Sequence, residues 1–169
     1  MKVLLTITIL NLFLFSYSAC FSQQMTKSEI KKLIKESKKE EKKNGYSYYS
    51  KIISNNIDSI FFKSQKVEIY TSEIATREKN ICRTVELKFQ KNNRVNFIDC
   101  QTCDEPSSCY VTTDKNLYEY RIKEIDDELY IFLKNNYNEI KFKVISSEEN
   151  KLNRRKYYKI GMEKQIKNQ

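Results

Sequence analysis

The sequence predicts a mainly β fold, α+β overall, in which about eight antiparallel strands meander into a barrel or sandwich behind one N-terminal amphipathic helix. Three observations carry this. From residue 59 onward, short runs rich in β-branched and aromatic residues recur at spacings of roughly 8–12 residues. Ile140, Phe142 and Val144 alternate with Lys141 and Lys143, as a half-buried strand should. Asn92-Asn93 and Asp126-Asp127 sit between such runs as two-residue turn candidates, and only 2 glycines are available to make turns otherwise.

The chain opens with Lys2 and an almost wholly apolar stretch, Val3 to Phe15, followed by small residues. That stretch is too short to span a bilayer comfortably and matches a secretory signal, so residues 1–22 are expected to be removed on export. Two cleavage modes fit. Tyr17-Ser18-Ala19-Cys20 resembles a lipobox, which would make Cys20 a lipid-attachment site, with Tyr17 standing where an aliphatic residue is usual; ordinary cleavage after Ser22 is the other.

Residues 23–45 read as a helical tether or lid. Thr26 and Glu29 form a capping box, Met25 and Ile30 occupy the staple positions, and the helix should begin at Lys27. Ile30, Leu33 and Ile34 make one apolar stripe, whereas 36–43 is wholly polar, so only the first half can dock. Asn44-Gly45 is a stop signal.

Residues 46–169 should form a single β-rich domain, long enough to bury a core. Residues 46–58 are ambiguous between helix and strand, and Ser59–Thr71 reads as strand with Val67, Ile69 and Thr71 on one face. Next comes a hairpin over 81–100. A two-residue Asn92-Asn93 loop would place Cys82 opposite Cys103 but puts Phe97 on the wrong face. A three-residue loop pairing Phe89 with Phe97 repairs the face and displaces Cys82. Leu117–Ile125 and Glu128–Leu133 flank Asp126-Asp127, which pairs Ile122 with Ile131 and Tyr120 with Leu133. Turns are expected at Asn135–Asn138 and within 146–150, a closing strand at Lys156–Ile160, and a frayed or helical end from Gly161.

Charge is uneven. Residues 27–43 carry 8 Lys/Arg against 4 Asp/Glu, 151–169 carry 7 against 1, and 44–150 carry 15 against 17. Such basic ends could meet acidic lipid or polymer. The chain has no His, which excludes Ser-His-Asp and Cys-His catalysis.

Cys82, Cys100, Cys103 and Cys109 are even in number in a chain that reads as exported, so disulfides are expected. Of the three pairings open to four cysteines, Cys82–Cys103 with Cys100–Cys109 is favoured. A zinc site built from all four cysteines is the sharper rival, and it has only one C-x-x-C where such sites use two. Asp126, Asp127 and Glu128, and Asp104 with Glu105, are acidic clusters at turns, read as solvated rather than catalytic or calcium-binding, and Tyr46, Tyr48 and Tyr49 as packing residues rather than a stacking platform. No cofactor, metal or catalytic residue is expected.

The stretches TVELKFQKNNRVNFI, LYEYRIKEIDDELYIFL and IKFKVISSEENKLNRRKYY, within 84–160, resemble the bacterial lipocalin-like domains found behind signal or lipoprotein peptides. Phe89-Gln90-Lys91-Asn92-Asn93 stands for their first strand and turn, Leu129-Tyr130-Ile131 for a later strand, and Phe142 to Ser146 with Leu152 for the last. The resemblance implies an exported, non-enzymatic, monomeric lipocalin-like domain. It would take a small apolar ligand or envelope component, meet the membrane only through a lipid anchor, and bind no nucleic acid. The alternative is an envelope protein that binds acidic lipid or polymer through its basic ends.

Overall fold

The computed structural model describes residues 25–44, 51–102, 108–111, 114–152 and 154–168. The expected signal segment with Cys20, the tyrosines at 46, 48 and 49, and Cys103, Asp104 and Glu105 lie outside the described residues.

Helix α1 spans Lys27–Asn44. Its start is the reciprocal capping box read from the sequence. The Thr26 N–H donates to Glu29 Oε2 at 2.7 Å, and the Glu29 N–H donates to Thr26 Oγ1 at 3.3 Å. Each bond satisfies a backbone donor that the helix itself leaves free. The Thr26 N–H, and the Thr26 hydroxyl donating to the same oxygen at 2.9 Å, hold the Glu29 carboxyl below its usual range. Met25, Ile30 and Ile34 are buried.

Nine strands follow: β1 Ile53–Asn55, β2 Lys66–Tyr70, β3 Arg83–Phe89, β4 Arg94–Gln101, β5 Ser108–Val111, β6 Leu117–Ile125, β7 Glu128–Lys134, β8 Asn138–Leu152 and β9 Arg155–Asn168. Eight of them close an antiparallel barrel in the order β3-β1-β2-β9-β8-β7-β6-β4, with β4 paired back to β3. β5 is attached to the far half of β4 as an edge strand, while β6 pairs with the near half. The fold is thus mainly β, and its closure is compatible with a lipocalin-like barrel.

The order departs from simple succession once. β1 lies between β2 and β3, so the β2–β3 connection must pass outside it. That connection carries α3, Glu73–Glu78. It covers the outer face of the pair and buries Ile53, Tyr70 and Ala75 there. A strand of three residues survives in this position because both of its faces are covered.

Three registers decide what faces inward. The Asp126-Asp127 turn pairs Ile122 with Ile131 and Tyr120 with Leu133, as its two-residue length requires. Both aspartates take positive φ, 52° and 61°. The 83–101 hairpin takes neither register weighed from the sequence. Its loop is Lys91-Asn92-Asn93, closed by the Gln90 N–H donating to the Arg94 carbonyl at 2.7 Å. Phe89 therefore pairs with Val95 and Leu87 with Phe97, which places all four inside, and the Thr102 N–H reaches the Cys82 carbonyl at 2.7 Å. Cys82 consequently stands opposite Thr102, not Cys103. A slip of one residue would turn this apolar set outward. The third register is the longest: β8 and β9 pair from Asn138–Asn168 up to Leu152–Arg155, across a bulge between Val144 and Ser146. Neither the turn expected in 146–150 nor the frayed end expected from Gly161 is present. Ile160 and Met162 continue the inward alternation of the strand.

Ser59–Thr71 is also corrected. Only Lys66–Tyr70 is strand. Asp58 and Ser59, at φ 54° and 61°, turn the chain into a single helical turn, α2, Ile60–Lys63. This turn drops Phe61 into the barrel, where its ring packs edge-on to Phe97 at 5.4 Å and against Phe142 at 6.3 Å. The barrel is therefore stoppered at both ends, by Phe61 where β1 leaves and by α1 at the mouth near Ile52 and Thr71.

Candidate functional site

The chemistry-bearing place defined by this architecture is the α1-capped mouth. Five strands, β2, β3, β7, β8 and β9, send Ile69, Leu87, Phe89, Ile131, Leu133, Phe142, Ile160 and Met162 inward. Ile30, Leu33 and Ile34 of α1 close the top. Between lid and floor a cavity of about 30 Å³ remains, and Thr71 is its one polar lining residue. That volume admits a water molecule or so and no organic ligand. With α1 seated the interior is a filled core, as the bore of an eight-stranded barrel allows.

Lys38 Nζ lies 3.2 Å from the Tyr120 hydroxyl and 5.5 Å from the ring centroid, and Tyr120 packs edge-on to Phe89 at 5.0 Å. Beside the lid runs an open groove of about 270 Å³, bordered by Glu29, Lys32, Glu36, Lys156 and Tyr158. Leu33, Ile52 and Thr71 line both the groove and the inner cavity, so Leu33 is the partition between them. Lys156 pairs with Glu149 at 2.7 Å, and Tyr158 donates to the same carboxylate at 3.1 Å.

The opposite end carries a polar set that the sequence reading missed. Lys164 occupies an inward position of β9 and is 5% exposed. Its ammonium donates to the carbonyls of Phe61 and, at 2.9 Å, Phe62, near the end of α2. Burial pushes it down to about 8. Nearby, Asp99 takes two bonds from Arg83, at 3.2 and 2.8 Å, and one from Asn56 at 3.1 Å. Burial alone would raise the Asp99 carboxyl, but these donors outweigh it and hold it below the usual range. A Lys in an apolar-phase position of a strand, as in Ile160-x-Met162-x-Lys164, was the available signal.

Cys100 and Cys109 face each other across β4–β5 as a disulfide, with Cα atoms 4.1 Å apart. Cys82 is also disulfide-bonded. These three sulfurs are therefore not thiolates, and among the described residues no group of His, Cys, Asp or Glu could hold a metal. A disulfide is consistent with an exported protein. Asp126 and Asp127 are exposed turn residues. Of the cations of 151–169, Lys156 and Lys159 are ion-paired, Lys159 to Glu68 at 2.8 Å, and Lys164 is internal, whereas Lys151, Arg154 and Lys167 are exposed.

Fold and site together define a small closed β-barrel with a helical lid over an apolar interior. No known protein family, no curated protein and no solved structure matches the chain.

Proposed function

We propose that the protein is an exported, non-enzymatic, lipocalin-like barrel that takes a small apolar ligand beneath α1. One observation carries the reading: the interior under the helix is apolar but for Thr71, and three side chains of a helix with a wholly polar second half close it from above. Displacing Ile30, Leu33 and Ile34 would empty three large side chains' worth of space above the floor. The ligand's polar end would lie in the groove beside Lys32, and its apolar body would take the place of Leu33. Without a ligand the same side chains complete the core, so the empty protein stays folded. The disulfides and the resemblance to domains found behind signal peptides support an extracytoplasmic site of action, with Cys20 as the anchor if the lipobox is used.

Native mass spectrometry of gently purified full-length protein tests this. A bound small amphiphile, released by raising the collision energy, is the expected result. A protein that is always bare, and that stays bare after incubation with fatty acids and isoprenoids, would leave a scaffold role in place of ligand carriage.

A further inference from the structure

The outer face of β6, β7 and β8 carries a second surface, independent of the lid. Side chains of directly paired residues stand on the same side of a sheet. One row across this face is Arg121, Phe132 and Lys141; the next is Lys123, Tyr130 and Lys143. Two aromatic rings on the middle strand are thus flanked by four cations on the outer two. Lys141 Nζ sits 4.2 Å from the Tyr130 ring centroid and 5.9 Å from that of Phe132, and Lys123 Nζ is 5.7 Å from the Phe132 centroid. The rings fix where the ammonium groups stand without neutralising them. Lys143 is neutralised by Glu128 at 2.5 Å. Arg121, Lys123 and Lys141 make no ion pair among the described residues, although Lys156, Lys159, Lys51 and Arg83 elsewhere all do. β6 and β8 are two strand spacings apart, so Arg121 and Lys141 stand roughly 10 Å from one another across the partly exposed Phe132.

We propose that this face binds a linear acidic polysaccharide, its carboxylates or sulfates meeting Arg121, Lys123 and Lys141 and a sugar ring lying over Phe132. The neighbourhood favours a narrow chain over a flat anionic bilayer. Exposed Asp126 and Asp127 sit at the β6–β7 tip and Glu119 and Glu139 in the adjoining row of the same face, and a planar anionic surface would meet them as well. It also favours a sugar over single-stranded nucleic acid, which uses several open ring faces. Here Tyr130 is buried beneath Lys141, and Phe132 alone is partly open.

The test is binding of the full chain to polygalacturonate and to heparin at low salt. The controls are neutral dextran, vesicles of phosphatidylglycerol and single-stranded DNA. The expected result is saturable binding to an acidic polysaccharide that weakens tenfold or more on moderate salt. It should also weaken at least tenfold in an Arg121→Gln/Lys141→Gln variant, and change less than twofold in a Lys31→Gln/Lys151→Gln variant that removes the same charge elsewhere. Phe132→Leu should lose affinity with no change in salt dependence. Equal losses in the two double variants, no binding to either acidic polysaccharide, or preference for the vesicles or the DNA would each overturn the proposal. Circular dichroism and thermal melts of both variants confirm that the barrel is intact before affinities are compared.

Discussion

Lys164 and Phe61 are joined by a hydrogen bond from a buried ammonium to a carbonyl of a single helical turn, and that bond pins the lower stopper of the barrel to β9. The amine is held down by burial to about 8 from its ordinary 10.5. A folded value below the unfolded one means the unfolded chain binds more protons between those two pH values, so the contribution of Lys164 to stability improves as pH rises from 8 to 10.5. Comparing wild type with Lys164→Met by urea unfolding isolates the effect from other titrating groups. The difference in unfolding free energy should move in favour of wild type between pH 7 and pH 10, by roughly 1–3 kcal/mol at about 1.4 kcal/mol per pKa unit. A pH-independent difference would show that the amine is solvated.

Asp99 behaves in the opposite sense. Its carboxyl is lowered below 3.8 by Arg83 and Asn56, so its contribution is full above the unfolded value and is lost as pH falls through the folded one. Acid unfolding of Asp99→Asn should therefore flatten the limb below about pH 4, at some cost in stability at neutral pH. Circular dichroism against pH for the two proteins checks this. An unchanged acid limb would remove Asp99 from the set of stabilising carboxylates.

Phe61 is 1% exposed and packed against Phe97 and Phe142. Phe61→Ala should cost about 3–5 kcal/mol in urea unfolding, because it removes apolar burial and leaves a void between rigid strands. The Cys100–Cys109 bridge should act more locally. Cys100→Ser/Cys109→Ser should cost about 2–3 kcal/mol at most, since it closes a short loop and clamps an edge strand outside the closed barrel. Hydrogen exchange should show the loss confined to β5 and the far half of β4.

Thr26→Ala removes the side-chain half of the capping box and loosens the other. It should cost about 1 kcal/mol and raise hydrogen exchange at the α1 amides before those of the barrel.

What could be read from the sequence was what local chemistry alone decides. The α1 cap and its Ile30-Leu33-Ile34 stripe follow from side chains within one turn of each other, and the Asp126-Asp127 register follows from a turn of two residues. The 146–152 arm escapes such reading for a physical reason. It extends beyond the core-facing part of the barrel, where Ile145 and much of the arm are exposed and nothing enforces an apolar alternation. The 91–93 loop could not be told from a 92–94 loop by its faces, because both bury Phe89 and Phe97; it is the Lys91 loop that the Gln90–Arg94 pairing closes. Lys164 was hidden in a basic run whose members turn out to have different fates, some paired, one internal. The β6–β8 cations needed the pairing of three strands before Arg121, Phe132 and Lys141 could be seen in one row.

The claim on which the functional reading stands is that α1 is a displaceable lid over an apolar interior. Titration with a fluorescent fatty acid, for wild type and for Leu33→Lys/Ile34→Lys, tests it most directly, because those substitutions unseat the helix without touching a strand. One saturable site is expected in both proteins, with at least tenfold higher apparent affinity in the variant, since the closed state no longer has to be opened first. No saturable binding in either protein, or equal affinity in the two, would contradict it.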